Sequence, residues 1–164
     1  MRTLIVYYSR TGYTRRVAQA LAEMLQADLA EVHCDRYRLG YIRYWRAAFD
    51  SISGLLPPIE VPPAVGQNYD LVIIGTPMWT RHPALPIRAL LKAGIKLPKR
   101  VALFLTRIGA PPEQAFAEME ALLPVPAAAK LAVRSSDVDA GRVSEELRVF
   151  AAQLSEEKVL ASCS

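Results

Sequence analysis

Two cysteines in 164 residues, Cys34 and Cys163, are too few for a disulfide framework, and neither stands in a Cys-x-x-Cys pair. The two histidines, His33 and His82, are isolated, so no metal-ligand spacing can be read from the chain. Glycine is scarce, with eight residues, and no two of them stand two apart. The Gly-x-Gly-x-x-Gly dinucleotide turn is therefore absent, and so is the P-loop pattern Gly-x-x-x-x-Gly-Lys-Ser/Thr. No apolar run approaches the roughly 20 residues that span a bilayer. The first residues run directly into a strand-like pattern without the apolar core or cleavage site of a secretory leader. The expectation is a cytoplasmic protein.

What the chain does have is core-forming residues. Hydrophobic side chains make up 52% of it and charged ones 22%, a composition that fills a core and argues against disorder. The length suits one domain over 1–164, with 156–164 expected as a frayed tail. The net charge is +4, from 20 Lys+Arg against 16 Asp+Glu. That balance permits anionic ligands or acidic partners without implying nucleic acid.

Strand-like and helix-like segments alternate. Residues 3–8, 69–75 and 100–106 are continuous β-branched, aliphatic and aromatic runs, as strands buried on both faces require. Weaker strand signals lie at 29–33 and 128–134. Helices are predicted over 14–26, with Val17, Leu21, Met24 and Leu25 on one stripe, and over 41–53, with Trp45 and Phe49 inward. Further helices are predicted over 84–93, after Pro111-Pro112-Glu113 with Phe116, Met119, Leu122 and Leu123 inward, and around Val143, Leu147, Phe150, Ala151 and Leu154. Five β–α units of this kind predict an α/β fold, a parallel sheet with helices on both faces. Ligands of such sheets sit outside the carboxyl ends of the strands. The search for a site narrows to the loops 9–14, 76–83 and 106–112.

Ser9-Arg10-Thr11-Gly12-Tyr13-Thr14 puts three hydroxyls and a glycine between a buried strand and a helix. A helix N-terminus offers unpaired N–H groups and the positive end of its dipole. Together these make a phosphate cradle that needs neither metal nor lysine. The same residues also fit an ordinary turn in which Thr14 only caps the helix.

Ser-x-Thr-Gly-x-Thr after the first strand resembles the FMN phosphate loop of flavodoxins. The resemblance continues at Gly75-Thr76-Pro77-Met78-Trp79, which is similar to the Gly-Thr-Pro-x-Trp turn after the third strand of short flavodoxin-like proteins. It covers roughly residues 1–155 and lacks the long insertion of the long-chain form. It implies a doubly wound, flavodoxin-like sheet of five parallel strands in the order 2-1-3-4-5. It also implies FMN as cofactor. Ser9, Thr11 and Thr14 would meet the phosphate through their side chains, and the amides of Arg10, Thr11, Gly12, Tyr13 and Thr14 would complete the cradle. Thr76, Pro77, Met78 and Trp79 would line the isoalloxazine, with Trp79 as the stacking ring unless it serves as a core residue. Thr106, Arg107 and Gly109 would form the third wall. There the chain departs from the flavodoxin pattern, because it has no acidic residue and no aromatic.

Arg10, Arg81, His82 and Arg107 put positive charge where electron-carrier flavodoxins carry an acidic rim. Charge of this sign near the ring favours the reduced, anionic flavin and a less negative potential. His82 reads as an ordinary exposed loop histidine and His33 as structural. The segment 36–46, Arg-Tyr-Arg-Leu-Gly-Tyr-Ile-Arg-Tyr-Trp-Arg, reads as a helix with its aromatics inward, or as a basic contact face.

The function so implied is a redox protein that transfers electrons through bound FMN. The alternative is a small NAD(P)H-dependent FMN or quinone reductase of the same fold. Partners would be a redox protein, or NAD(P)H and a quinone. No catalytic side chain and no metal ligand is assigned. A phosphorylated receiver domain would need aspartates where the chain has Tyr8-Ser9 and Gly75-Thr76. A nucleic-acid-binding protein would rest on segment 36–46 alone.

Overall fold

The computed structural model describes residues 1–34 and 56–161, with side chains through residue 155. The segment 36–46 and the helix expected over 41–53 lie outside the described residues. In chain order the elements are β1 (Thr3–Tyr7), α1 (Tyr13–Leu25), β2 (Asp28–Glu31), β3 (Leu71–Trp79) and β4 (His82–Pro83). They continue with α2 (Leu85–Lys92), β5 (Val101–Arg107), α3 (Glu113–Glu120), β6 (Lys130–Arg134), α4 (Ser135–Asp139) and α5 (Ser144–Ala161).

Five strands run parallel in the spatial order β2-β1-β3-β5-β6. Counted as parallel strands alone, this is the expected 2-1-3-4-5. The sheet has one strand more than expected, because β4 folds back antiparallel on the end of β3. The register pairs Ile5 with Leu29 on one side and with Ile73 on the other, and Ile73 in turn with Ala102.

Successive residues of a strand point to opposite faces, so an unbroken apolar run must be covered twice. Leu4, Val6, Tyr8, Val72, Ile74, Leu103 and Leu105 form one core with Leu85, Ile87 and Leu90 of α2 and with Phe116 and Met119 of α3. Ile5, Tyr7, Leu71, Ile73 and Phe104 form the other with Val17 and Leu21 of α1 and with Leu147, Phe150 and Leu154 of α5. Each such side chain taken out of water contributes roughly 1.5–3 kcal/mol. This two-sided burial makes the sheet rigid and leaves its carboxyl-end loops to carry chemistry.

Several boundaries differ from those read in the sequence. β3 does not stop at Gly75 but runs to Trp79. Pro77 takes its last paired position against β5, at Thr106, where a missing N–H is tolerated. α3 ends at Glu120, so Leu122 and Leu123 lie beyond it, although both still pack on the first core. β2 ends at Glu31, and His33, whose side chain is exposed, instead makes a single antiparallel backbone bridge to Glu60. The short helix α4 separates β6 from α5, a break that periodicity did not show. No helix among the described residues is long and apolar enough to cross a membrane.

Candidate functional site

Tyr8 continues β1 by donating its N–H to Gly75 O at 3.1 Å, and the chain then turns through Ser9–Gly12 into α1. Gly12 has φ 96°, a left-handed value that strains any residue with a Cβ. The space a side chain would fill there is open, with nothing within 4 Å. Ser9 Oγ accepts the Gly12 and Arg15 N–H groups, both at 3.2 Å. An oxygen of this loop thus already stands where the helix N-terminus calls for an acceptor.

The other side chains of this loop separate into bound and free. Thr11 is exposed. Thr14 is buried, and its Oγ1 lies 2.8 Å from Thr106 Oγ1, a bond that joins the first turn of α1 to the end of β5. Tyr13 turns away and donates its hydroxyl to Asp139 at 2.8 Å. Arg16 donates to Asp139 and to Val138 O, both at 2.9 Å. The hydrogen bond from Tyr13 and then that from Arg16 hold the Asp139 carboxyl below the ordinary carboxylate range. Arg15 is held by Glu31 at 2.6 Å. Arg10 is half-buried on the loop itself.

The second wall begins at Gly75. A Cβ there would sit 2.1 Å from Phe104 Cζ, so only glycine lets β3 lie against that ring. Thr76 is fully buried; its hydroxyl donates to Pro77 O and accepts the Ala84 N–H, each at 3.0 Å. That hydroxyl fastens the start of α2 to the end of β3. Pro77, Met78 and Trp79 are half-buried. Trp79 packs, partly buried, against the first core. The Tyr8 ring meets it edge to face, with centroids 5.8 Å apart and planes at 84°. Burial pushes the Tyr8 phenol well above its ordinary pKa, so the ring stays neutral.

Between Trp79 and His82 the chain reverses through Thr80 and Arg81, with φ 47° and 70°. Two positive φ values in a two-residue loop are the geometry of a type I′ hairpin, which usually takes Asn-Gly. Here neither residue is glycine, at a cost of roughly 1 kcal/mol each. His82 is not the ordinary exposed loop histidine expected. Its Nδ1 lies 2.6 Å from Glu118 Oε1 of α3, with both side chains 28% exposed. The reversal into β4 carries the ring back over α3, which a loop would not have done.

In the third wall, Arg107 Nη1 donates to Gly109 O and Ala110 O, both at 3.2 Å. The Ser135 hydroxyl donates to Arg107 O at 3.3 Å. This guanidinium braces its own loop. The clamp leaves Ile108 at the tip, 90% exposed.

The three loops therefore meet. Thr14–Thr106 ties the first to the third, and Tyr8–Trp79 ties the first to the second. Tyr8, Glu118 as the partner of His82, and Ser135 were missed as contributors. Tyr8 read as the end of a core strand, and the other contacts cross between elements whose register no local pattern reveals. Among the described residues no group of His, Cys, Asp or Glu could hold a metal ion.

Neither a protein-family model nor a curated protein matches the chain. Among solved structures, it is 27% identical to a flavoprotein from Lactobacillus acidophilus NCFM crystallised in complex with FMN. That likeness covers 85% of this chain and 97% of the other, with a TM-score of 0.69. It is 30% identical to the apo-form of the flavoprotein from the same organism, solved by NMR, over 84% of this chain and 95% of that one, with a TM-score of 0.63. Oxidised flavodoxin 2 from Bacillus cereus shares the fold at 17% identity, over 93% and 99% of the two chains, with a TM-score of 0.57.

Proposed function

The chain belongs to the flavodoxin-like FMN-binding flavoproteins, and from that premise we propose that it is a one-site electron carrier whose FMN lies across the three loops. The observation that carries this reading is the cap on α1. A hydroxyl oxygen takes two amide hydrogens at a helix N-terminus, beside an open space and two further hydroxyls. That donor set is neutral, compact and rich in N–H groups, which suits a phosphate dianion. The residues present fit the group.

Ser9, by turning its hydroxyl outward, would release the Gly12 and Arg15 amides to the phosphate and add a donor of its own. Thr11 is exposed and free to close over it. Thr14 would contribute from beneath, held in place by Thr106. Gly12 lets the backbone come close. On the ring side, Pro77, Met78 and Trp79 would form the wall, with the Trp79 plane fixed by Tyr8. Gly109, and the turn that Arg107 braces, would face the ring from β5. Bound FMN supplies the redox chemistry, and the protein supplies grip, orientation and electrostatics. No side chain is assigned to breaking a bond.

The test has two parts. FMN added to the apo-protein should bind at one site. Thr11→Glu, an exposed change, should weaken binding by a factor of ten or more without moving the thermal midpoint, because it sets a carboxylate against the phosphate. Tight binding retained in that variant would place the phosphate elsewhere. The FMN-loaded protein should then show no steady-state oxidation of NADPH with a quinone unless a reductase is added. Turnover by the protein alone would make it a reductase and end the carrier reading.

A further inference from the structure

From Leu71 to Pro112, forty-two residues, there is no aspartate or glutamate, yet there are seven lysines and arginines. The rest of the chain has sixteen acids against thirteen bases. The protein's whole excess of positive charge thus lies in β3, β4, α2, β5 and their connections.

Five of these seven side chains follow one another along the chain from the hairpin, through α2, to the segment before β5. α2 buries six of its eight residues, and the two left are Arg88 and Lys92, one helical turn apart. Lys96 and Lys99, both exposed, continue past the helix end. At the other end, exposed Arg81 stands in the strained turn beside Trp79, on the rim of the candidate site. Elsewhere five bases are matched, Arg15 with Glu31, Arg16 with Asp139, Lys130 with Glu120, Arg142 with Asp137 and Arg148 with Glu145, while exposed Arg134 is in no ion pair among the described residues. Arg81, Arg88, Lys92, Lys96 and Lys99 have no ion-pair partner among the described residues. The three acids of α3 do not supply one: Glu118 is on His82, Glu120 is on Lys130, and Glu113 forms no ion pair among the described residues. Like charges spaced this way repel one another, and folding gains nothing from them.

We infer that this stripe, from Arg81 along Arg88 and Lys92 to Lys96 and Lys99, is the docking face for an acidic redox protein. The inference rests on the redox reading above and names the charge of the partner. Charge complementarity steers encounter and sets register, and a stripe that starts at the ring-side rim brings a partner's redox centre to the flavin. Other polyanions fit less well. Residues 81–99 contain no Phe, Tyr or Trp for bases to stack on. Leu85, Ile87, Leu90 and Leu91 face the core, so no apolar side chain of α2 remains to enter a membrane.

The test uses FMN-loaded protein reduced with one equivalent of dithionite and mixed with an excess of a ferric cytochrome. One electron goes to each haem iron, reducing ferric to ferrous, so two haems reoxidise each flavin. At low ionic strength an acidic b-type cytochrome should react at least tenfold faster than a basic c-type cytochrome, and added salt should remove the advantage. The triple variant Arg88→Glu/Lys92→Glu/Lys96→Glu should reverse the preference. The neutral triple variant with Gln at the same positions should abolish it. Both should keep the parent's FMN affinity and thermal midpoint. Calorimetric titration of the ferric b-type cytochrome into the oxidised protein reads docking without any turnover, and the same losses are expected there. Rates and binding indifferent to both triple variants would overturn the inference. So would tighter binding of a single-stranded oligonucleotide or of anionic phospholipid vesicles, lost in the same variants. If FMN does not bind at all, the redox reading fails, and titration of the cytochrome into the apo-protein still decides the surface.

Discussion

The loop after β1 and the hairpin after β3 stand side by side at the same end of the sheet, yet they are held in opposite ways. The first is held by hydrogen bonds that a ligand can take over: the Ser9 hydroxyl occupies the α1 amides, and the space beside Gly12 is empty. The second is held by packing that a ligand cannot replace: Gly75 on Phe104, the Thr76 hydroxyl within its own hairpin, Trp79 on Tyr8, and His82 on Glu118. On the proposed reading the difference separates two tasks. A phosphate brings charge and acceptors of its own, so its cradle needs only donors with an interim partner. An aromatic ring brings a flat surface, so its wall must be rigid beforehand.

The packed region should break hardest. Gly75→Ala pushes a methyl group into the Phe104 ring, and Phe104 is fully buried between two strands. We expect a loss of about 3 kcal/mol, at the upper end for overpacking, read as the unfolding free energy in urea. Adding Phe104→Leu should recover part of it, since the obstacle is then smaller. If Gly75→Ala were neutral, the second region would be as adaptable as the first, and the contrast would fail.

The contrast also explains what could be read from the sequence. The strands β1, β3 and β5 were legible because a strand covered on both faces must be apolar throughout. The first loop stood out because its hydroxyls and its glycine lie within six consecutive residues. The hairpin was half legible. Gly75-Thr76-Pro77-Met78-Trp79 stood out as a motif, but Pro77 suggested a turn, and nothing local showed that β3 would run on and β4 fold back. The partners that fix the site come from distant positions: Thr106 for Thr14, Glu118 for His82, Ser135 for Arg107. Such pairs follow from strand order and register, which arise from the packing of the whole sheet. The turn at Thr80–Arg81 was hidden for another reason, since neither residue type advertises positive φ.

An intermediate effect is expected where the two walls join. Thr14 and Thr106 are both buried and bonded to each other at 2.8 Å. Either single change to valine leaves one hydroxyl buried without a partner and should cost about 1–2 kcal/mol, whereas changing both should cost less than the two together. FMN affinity should behave differently. The double variant should bind about tenfold more weakly or worse, having lost a donor to a charged group. A double variant that is stable and binds FMN as the parent does would show that Thr14 serves the fold alone.

The smallest effect lies at the outer edge of the first loop. The Asp139 carboxylate accepts the Tyr13 hydroxyl and an Arg16 N–H, and both lower its pKa in the folded protein. A carboxyl whose folded pKa lies below its unfolded value stabilises the fold wherever it is ionised. Its contribution is complete at neutral pH, shrinks as the unfolded chain begins to take up the proton, and is gone once pH has fallen through the lowered folded value. Asp139→Asn removes the charge at every pH. The thermal midpoint of the parent should therefore exceed that of the variant by a small, constant margin near neutrality, and the two curves should meet in the acid range. Because the group is exposed, salt should narrow the gap. FMN affinity should change little, since the tie holds the side chains of Tyr13 and Arg16, while the proposed phosphate donors are the amides that Ser9 caps. A margin that widened on acidification would mean that Asp139 is strained in the fold. The first loop would then be braced against its neighbour at a cost, as the hairpin is at Thr80 and Arg81.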